Sequence, residues 1–322
     1  MKFSIIVVTY NSKWEKIKST LDSIMKQTFQ DFEIVISDDG SKNNYCFEIE
    51  NYMEAHGFSN YKFITHEKNI GTVRNLLSAV EASSGKYIRD FGPGDLFYSE
   101  DSLKILYEFM ENEKCQCCFG LVRGYYMDEM NKPISVEFHH PFDLKAYKTN
   151  NKKKLQKNLV LYRDYPPGSC TSYTRDFYLH YLTLLDGKVR YTEDILQIVA
   201  GLDGVFMRVV PEYIIWYETD SGVSNTRGEF SERMLRDVES FYCFLYAQYG
   251  GNKYVKKQRK VFRLYKIKNL YVRTLIRFFV NPGAMIYLLS HCIQTKSSVY
   301  RPMHVEKGFL DEVDYFEKCS SQ

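Results

Sequence analysis

The chain has 322 residues, a net charge of +3 and an aromatic-rich composition with 27 Tyr and 22 Phe. That length and composition point to a globular protein of one large domain, or one domain with an extension. No apolar run reaches the ~18–20 residues of a membrane span, and the eight cysteines lack the regular spacing of a disulfide framework, which suits free thiols in a reducing cytoplasm.

Phe3 to Thr9 is an apolar run that predicts a buried parallel strand; its early start carries the expectation that no targeting segment precedes it. Tyr10-Asn11-Ser12 breaks the run. Ser12 and Glu15 have capping-box spacing, and Trp14, Ile17, Leu21 and Ile24 recur at helical spacing. Phe32 to Ser37 predicts a second strand, closed by Asp38-Asp39-Gly40-Ser41. A helix is expected over Lys42 to His56, a third strand over Tyr61 to Thr65 and, after a loop from His66 to Gly71, a helix from Thr72 to Ser83. Tyr87-Ile88-Arg89-Asp90-Phe91 predicts a fourth strand. Gly92-Pro93-Gly94 stops it, leaving Asp95 at its carboxyl end, where open α/β sheets place their ligands. This alternation predicts a parallel sheet covered on both faces.

Beyond Asp95 the order changes. A helix is expected over Asp101 to Glu113 and a strand over Cys118 to Tyr126. Asn131 to Asn151 reads as loop, Asn151 to Leu161 as a polar helix and Tyr165 to Thr171 as a rigid turn. Arg175 to Leu185 predicts a helix, and Tyr191-Thr192-Glu193-Asp194 opens another through Ile195, Ile198 and Val199. Val205 to Val210 and Tyr213 to Tyr217 read as two strands, and the remainder as mostly helical.

Several stretches carry candidate chemistry. Asp38 and Asp39 are adjacent carboxylates that repel, so they call for donors or a cation; a nucleoside supplies donors, and a turn with local hydrogen bonds is the alternative. Asn69-Ile70-Gly71-Thr72-Val73-Arg74 places an arginine at a helix start, which suits an anion or only a cap. Glu193 and Asp194 stand at a helix start whose dipole stabilises them, either as simple first-turn acids or as a general base held ionised and aimed into a cleft. Cys115, Cys117 and Cys118, with His139-His140 in a loop, lack a second ligand pair at zinc spacing and read as strand thiols. The dinucleotide G-x-G-x-x-G and phosphate-loop patterns are absent.

Together these stretches resemble the family 2 glycosyltransferases, whose fold is called GT-A. The resemblance rests on Ser4-Ile5-Ile6-Val7-Val8-Thr9-Tyr10-Asn11, Asp38-Asp39-Gly40-Ser41, the set Asn69, Gly71, Arg74 and Asn75 (one residue shorter than the commonest spacing), Gly85-Lys86-Tyr87-Ile88, and Thr192-Glu193-Asp194. It implies an α/β GT-A domain over residues 1–225, with a nucleotide-sugar-binding half (1–98) and an acceptor-binding half (99–225). A basic, mainly helical extension over 226–322 would follow. Thr9, Tyr10, Asn11, Asp38, Asp39, Asn69, Arg74, Gly94 and Asp95 would bind the nucleotide-sugar donor. Asp194, with Glu193 as fallback, would be the base that deprotonates the acceptor hydroxyl of a glycan or polyprenyl-linked lipid, inverting the anomeric centre in one displacement. A divalent cation (Mg²⁺ or Mn²⁺) would offset the diphosphate charge. The family's usual Asp-x-Asp is reduced here to Gly92-Pro93-Gly94-Asp95, so Asp95 is the expected metal ligand and Asp90, within the strand, is not. The late segment from Tyr217 to Gly222-Val223-Ser224 lacks the frequent histidine, with Asp220 nearby. A non-catalytic nucleotide-sugar binder is one alternative. A pyrophosphorylase is another, but it would need a Gly-rich basic loop where Tyr10-Asn11-Ser12 stands.

The charge is uneven. From Ser240 to Val305 there are twelve Lys and Arg and no Asp or Glu, so the rest of the chain is acidic. Lys256, Arg259, Arg263, Lys266, Arg273 and Arg277 fall on one helical face, and Val261, Leu264, Tyr271, Leu275 and Phe278 on another. After Asn281-Pro282-Gly283, Met285 to Ile293 predicts a short apolar helix. This pattern predicts attachment through residues 253–293 to an anionic membrane surface, the inner face of the cytoplasmic membrane. The alternative is a solvated charged face whose apolar side packs on the body. No nucleic-acid-binding module accompanies the charge.

Overall fold

The computed structural model describes residues 1–129, 132–137, 140–219, 229–264, 267, 269–297 and 303–304. Its N-terminal half alternates strand and helix as the periodicity predicts: β1 (Phe3–Thr9), α1 (Trp14–Met25), β2 (Phe32–Asp38), α2 (Cys46–Ala55), β3 (Tyr61–Thr65), α3 (Thr72–Ala82) and β4 (Tyr87–Phe91). The four strands are parallel in the order β4-β1-β2-β3. β1 and β2 are buried along nearly their whole length, which is why both read as unbroken apolar runs. Glu33 is the buried exception. Its carboxylate accepts from Ser4 Oγ at 2.6 Å, Ser84 N at 2.5 Å and Ser84 Oγ at 2.8 Å, and pairs with Lys62 Nζ at 3.0 Å, tying β1, β2, β3 and the entry to β4 together.

The second half adds β5 (Leu96–Phe97), α4 (Ser102–Glu113), β6 (Cys117–Met127), β7 (Pro133–Glu137), α5 (Leu144–Lys148), α6 (Lys152–Tyr162), a 3₁₀ turn at Gly168–Cys170, β8 (Thr171–Thr174), α7 (Arg175–Leu185), a 3₁₀ turn at Glu193–Ile195, α8 (Leu196–Leu202) and β9 (Arg208–Glu218). β8 continues the sheet antiparallel to β4, and β6 pairs antiparallel with β8 and β7 and parallel with β9. β5 pairs antiparallel with β9.

Four local expectations are corrected. Ser12 does not cap α1, whose N-cap is Lys13 without a side-chain bond. Asn11, at φ +48°, turns the preceding loop away to Ser41 Oγ and the Lys42 amide instead. α2 starts at Cys46 rather than Lys42, because the Asn43 and Asn44 side chains accept from Tyr45 N and Cys46 N and hold local turns. The stretch read as loop contains β7 and α5. β9 runs unbroken through Pro211; register shifts around Gly120 and Leu121 absorb the irregularity.

The C-terminal part forms α9 (Glu229–Tyr249), α10 (Lys253–Arg263), α11 (Leu270–Val280) and α12 (Pro282–Ser297), with a two-residue β10 (Met303–His304) against β7. α9 buries Phe241, Tyr242 and Leu245 in the main core. The basic residues do not share one continuous helix: α10 ends at Arg263, and Asn269 caps a new helix by accepting from Tyr271 N and Val272 N. On α10 Lys256, Arg259 and Arg263 face solvent while Val255 and Val261 are buried. On α11 the arrangement reverses, with Tyr271, Leu275, Phe278 and Phe279 exposed. His139, Asp220, Gly222, Val223, Ser224 and Lys266 lie outside the described residues.

Candidate active site

A cleft of about 570 Å³ opens beyond the carboxyl ends of β1, β2 and β4. One side is the loop after β1 with the first turn of α1. The floor is β4 and its following turn, and the far side is formed by the 163–169 segment, the 191–194 segment and the end of β9.

Asp38 and Asp39 face different ways. Asp38 accepts from Thr9 Oγ1 at 2.8 Å and from Ser41 N at 2.8 Å, and it does not line the cleft. Asp39 does line it. Its carboxylate accepts from Asn69 Nδ2 at 2.7 Å, Ile70 N at 2.6 Å and Gly71 N at 3.1 Å. Burial pushes the Asp39 pKa up; the Ile70 and Gly71 amides and Arg190 act against it. The donors that the paired carboxylates demanded are therefore largely supplied by the protein. Thr9, Tyr10 and Asn11 line the cleft beside them, with Tyr10 half exposed.

Asn69 and Arg74 are not brought into the cleft. Asn69 bridges Asp39 and the Arg190 guanidinium, which donates to Asn69 O at 2.7 Å. Arg74 is exposed and pairs in a fork with Asp186 at 3.0 and 3.1 Å. Among the described residues, Arg163, Lys13 and Lys16 are the cations that line the cleft instead. Lys16 pairs with Glu218 at 2.7 Å. The sequence did carry a signal for the lysines: they stand in and just before the first turn of the helix that follows β1.

The turn after β4 is fixed from several sides. Gly94 has φ +104°, and a Cβ there would stand 2.3 Å from Glu218 Oε2. Its amide donates to Thr20 Oγ1 at 2.9 Å, which donates in turn to Asp95 O at 2.9 Å. Tyr125 OH donates to Gly94 O. Asp95 Oδ1 accepts from Glu218 N at 3.1 Å. Burial pushes the Asp95 pKa up to about 7; the Glu218 and Asp90 charges add to this, while the Glu218 amide and Arg89 oppose it. Among the described residues no three His, Cys, Asp or Glu side chains converge as a metal cage. A buried carboxylate among like charges, lining a cleft, still fits a hard cation whose other ligands are diphosphate oxygens and water.

Asp194 and Glu193 lie in the 3₁₀ turn before α8, not in the first turn of an α-helix. That turn runs directly into α8, so the pair does stand at a helix start, but burial outweighs what the helix dipole contributes to the charged form. Burial and the Asp90 charge push the Asp194 pKa up to about 7, against the Gly168 amide and Arg163. Glu193 is pushed well above the usual carboxylate range by burial and by Asp194. Two supports hold this pair. The Asp237 carboxylate on α9 accepts from the amides of Arg190, Tyr191 and Thr192 at 3.1, 2.6 and 3.3 Å. Arg89, fully buried, donates to Thr171 O at 2.7 Å and to Ser169 O, fixing the turn on which Asp194 rests.

Residues 4–182, more than half of the chain, match the glycosyl transferase family 2 model. The chain belongs to that family. Within it, the chain is similar to an uncharacterized glycosyltransferase of Methanocaldococcus jannaschii, at 31% identity over 137 residues covering 42% of this chain and 45% of the relative. It is also similar to the UDP-Glc:alpha-D-GlcNAc-diphosphoundecaprenol beta-1,3-glucosyltransferase WfgD of Escherichia coli, at 28% identity covering 29% of this chain and 35% of the relative. The poly(ribitol-phosphate) beta-N-acetylglucosaminyltransferase TarS of Staphylococcus aureus is 31% identical over 38% of this chain and 21% of its own length. The chain thus spans less than half the length of the curated relatives it matches. The crystal structure of TarS 1–349 in complex with UDP-GlcNAc superposes with a TM-score of 0.49 at 19% identity, covering 74% of this chain and 66% of that one. The family match covers the α/β sheet from β1 into α7, and the helical C-terminal part of this chain lies beyond it.

Proposed function

We propose that this transferase moves a sugar from a uridine diphosphate sugar to a hydroxyl of a glycan or lipid-linked acceptor, with inversion, in bacterial surface polysaccharide synthesis. The observation that carries the reading is one cleft in which Asp194, a carboxylate whose proton affinity has been raised to the range of a general base, shares the space with Asp95 and Asp39. Thr9, Tyr10 and Asp39 bind the nucleoside; Arg163 and Lys13 face the diphosphate. Asp194 takes the proton of the acceptor hydroxyl as that oxygen attacks the anomeric carbon from the side opposite the diphosphate. A divalent cation held at Asp95 would neutralise charge on the leaving diphosphate. The name of WfgD supports a uridine nucleotide and a lipid-diphosphate acceptor, and that of TarS a surface-polymer acceptor.

The helical part supports a location at a membrane surface. Among the described residues no helix is long and apolar enough to cross a membrane. The exposed Tyr271, Leu275, Phe278 and Phe279 of α11 and Ile286 and Leu289 of α12 are carried on the helices that follow the basic α10. That combination of apolar side chains and lysine or arginine suits peripheral attachment to anionic lipid, where a lipid-linked acceptor is found.

Thermal unfolding with UDP-glucose, UDP-galactose and UDP-N-acetylglucosamine, with and without Mn²⁺, tests the donor class. A ligand at a hundred times its Kd stabilises by about 2.7 kcal/mol, and the largest shift is expected with Mn²⁺ present. No shift with UDP or any of these sugars contradicts the reading.

A further inference from the structure

Four buried oxygens of the same cleft make no hydrogen bond within the protein: Asp90 Oδ1, Ser169 Oγ, Thr192 Oγ1 and Asp194 Oδ1. Buried polar atoms are normally paired, so four together mark a place where a ligand supplies the partners. Asp90 is the most telling. It lies within a central strand, beside Ile6 of β1, and is 7% exposed. The Tyr178 hydroxyl reaches the Asp90 carboxylate but leaves Oδ1 unpaired, and Arg89 does not fill the gap: its Nη1 and Nη2 go to the carbonyls of Thr171 and Ser169 and its Nε makes no hydrogen bond.

The chemistry of the four atoms selects the partner. Ionised carboxylates only accept hydrogen bonds, while serine and threonine hydroxyls both donate and accept. A phosphate oxygen offers no donor and is repelled. Adjacent sugar hydroxyls offer donors and acceptors together. Position narrows the choice further: the Asp90 charge raises the pKa of both Asp95 and Asp194, so Asp90 is within electrostatic reach of both. If the diphosphate lies at Asp95 and the base is Asp194, the group between them is the sugar in transit.

We infer that Asp90, with Ser169 and Thr192, forms the subsite for the hydroxyls of the transferred sugar, and that it selects a neutral sugar over a uronic acid. This rests on the proposed donor class and adds a specificity-determining residue to it. Asp90 accepts from a ring hydroxyl, and its charge turns away a sugar carboxylate. The subsite gives Asp90, not assigned to the metal by the sequence reading, a sugar-binding role.

Calorimetry in Mn²⁺ with UDP, UDP-glucose, UDP-N-acetylglucosamine and UDP-glucuronate tests this on the wild type, Asp90→Asn, Asp90→Ala and Ser169→Ala. The wild type is expected to bind a neutral UDP-sugar at least tenfold tighter than UDP, and UDP-glucuronate no tighter than UDP. Asp90→Ala should lose about tenfold or more of that sugar gain, the size of a hydrogen bond to a charged group, with UDP affinity within twofold. Ser169→Ala should lose a smaller share, and Asp90→Asn should improve UDP-glucuronate relative to UDP-glucose. Equal weakening of UDP and UDP-sugar by Asp90→Ala, an unchanged sugar gain, or loss of the Mn²⁺ effect on UDP overturns the subsite while leaving the donor class standing. Should Asp90→Ala not fold, Asp90→Asn and Ser169→Ala decide by the same comparison. A wild type that binds no UDP overturns the functional reading and the subsite with it.

Discussion

Gly168 makes room for Asp194: a Cβ on the glycine would stand 2.4 Å from the aspartate's Oδ1. The Pro166-Pro167-Gly168 turn is therefore shaped around the base, with Arg89 holding the Ser169 and Thr171 carbonyls just after it. Gly168→Ala is expected to displace the carboxylate rather than empty the donor site. Turnover should fall about 10²-fold, as misplacements near 1 Å do, with the Kd for donor nearly unchanged. Parallel turnover and calorimetry measurements check the split.

Glu33 gives a prediction about the scaffold alone. Burial opposes its charge, but the hydrogen bonds from Ser4, Ser84 and Lys62 prevail and hold its pKa down to about 2. Its folded pKa lies below the unfolded value, so its contribution is present above about pH 4.5 and is lost as pH falls toward 2. Glu33→Ala should cost about 3 kcal/mol at pH 7, the size of breaking a buried ionic network, and should flatten the stability loss between pH 4.5 and 2. Urea unfolding at several pH values measures both.

The N-terminal half was legible because its signals are local. Buried parallel strands read as apolar runs, Gly92-Pro93-Gly94 ends one of them, and Asp95 falls where the sheet presents its ligands. The short β5 and β8 were not legible: each is two to four residues long and exists only by pairing with a strand distant in sequence. For the same reason Arg163, Glu218 and Asp237 were missed, since tertiary contact alone brings them to the site. Arg74 misled in the opposite direction. Its spacing from Asn69 suits a ligand-binding loop, but the side chain leaves α3 on the outer surface and meets Asp186.

For Asp95 the expectation concerns the cation. Asp95→Ala should weaken UDP binding in Mn²⁺ about tenfold or more and leave UDP binding in EDTA unchanged. Calorimetry in the two buffers checks it; equal loss in both would remove Asp95 as the metal ligand.

Vesicle co-sedimentation addresses the α10–α12 surface. Binding should require anionic lipid, weaken with salt, and fall when Lys256, Arg259 and Arg263 are changed to Glu. Replacing Leu275 and Phe279 by Ser should weaken it at fixed charge. Equal binding to neutral vesicles, or none to either kind, contradicts the membrane role.

The central claim is that Asp194 removes the acceptor's proton. Its pKa, raised to about 7 chiefly by burial, means that the ionised base accumulates as pH rises through that value, so turnover should climb between about pH 6 and 8 and then level. The same shift makes an uncharged Asp194 favourable to folding, a contribution fully present below the unfolded carboxyl range near 4 and lost as pH rises toward 7. The most direct measurement is turnover and donor Kd for Asp194→Asn side by side. The account predicts a fall of about 10²–10⁴-fold in turnover, with donor Kd within a few-fold of wild type and the rise near pH 7 abolished. Near wild-type turnover with the pH profile intact would contradict it and shift the base to Glu193.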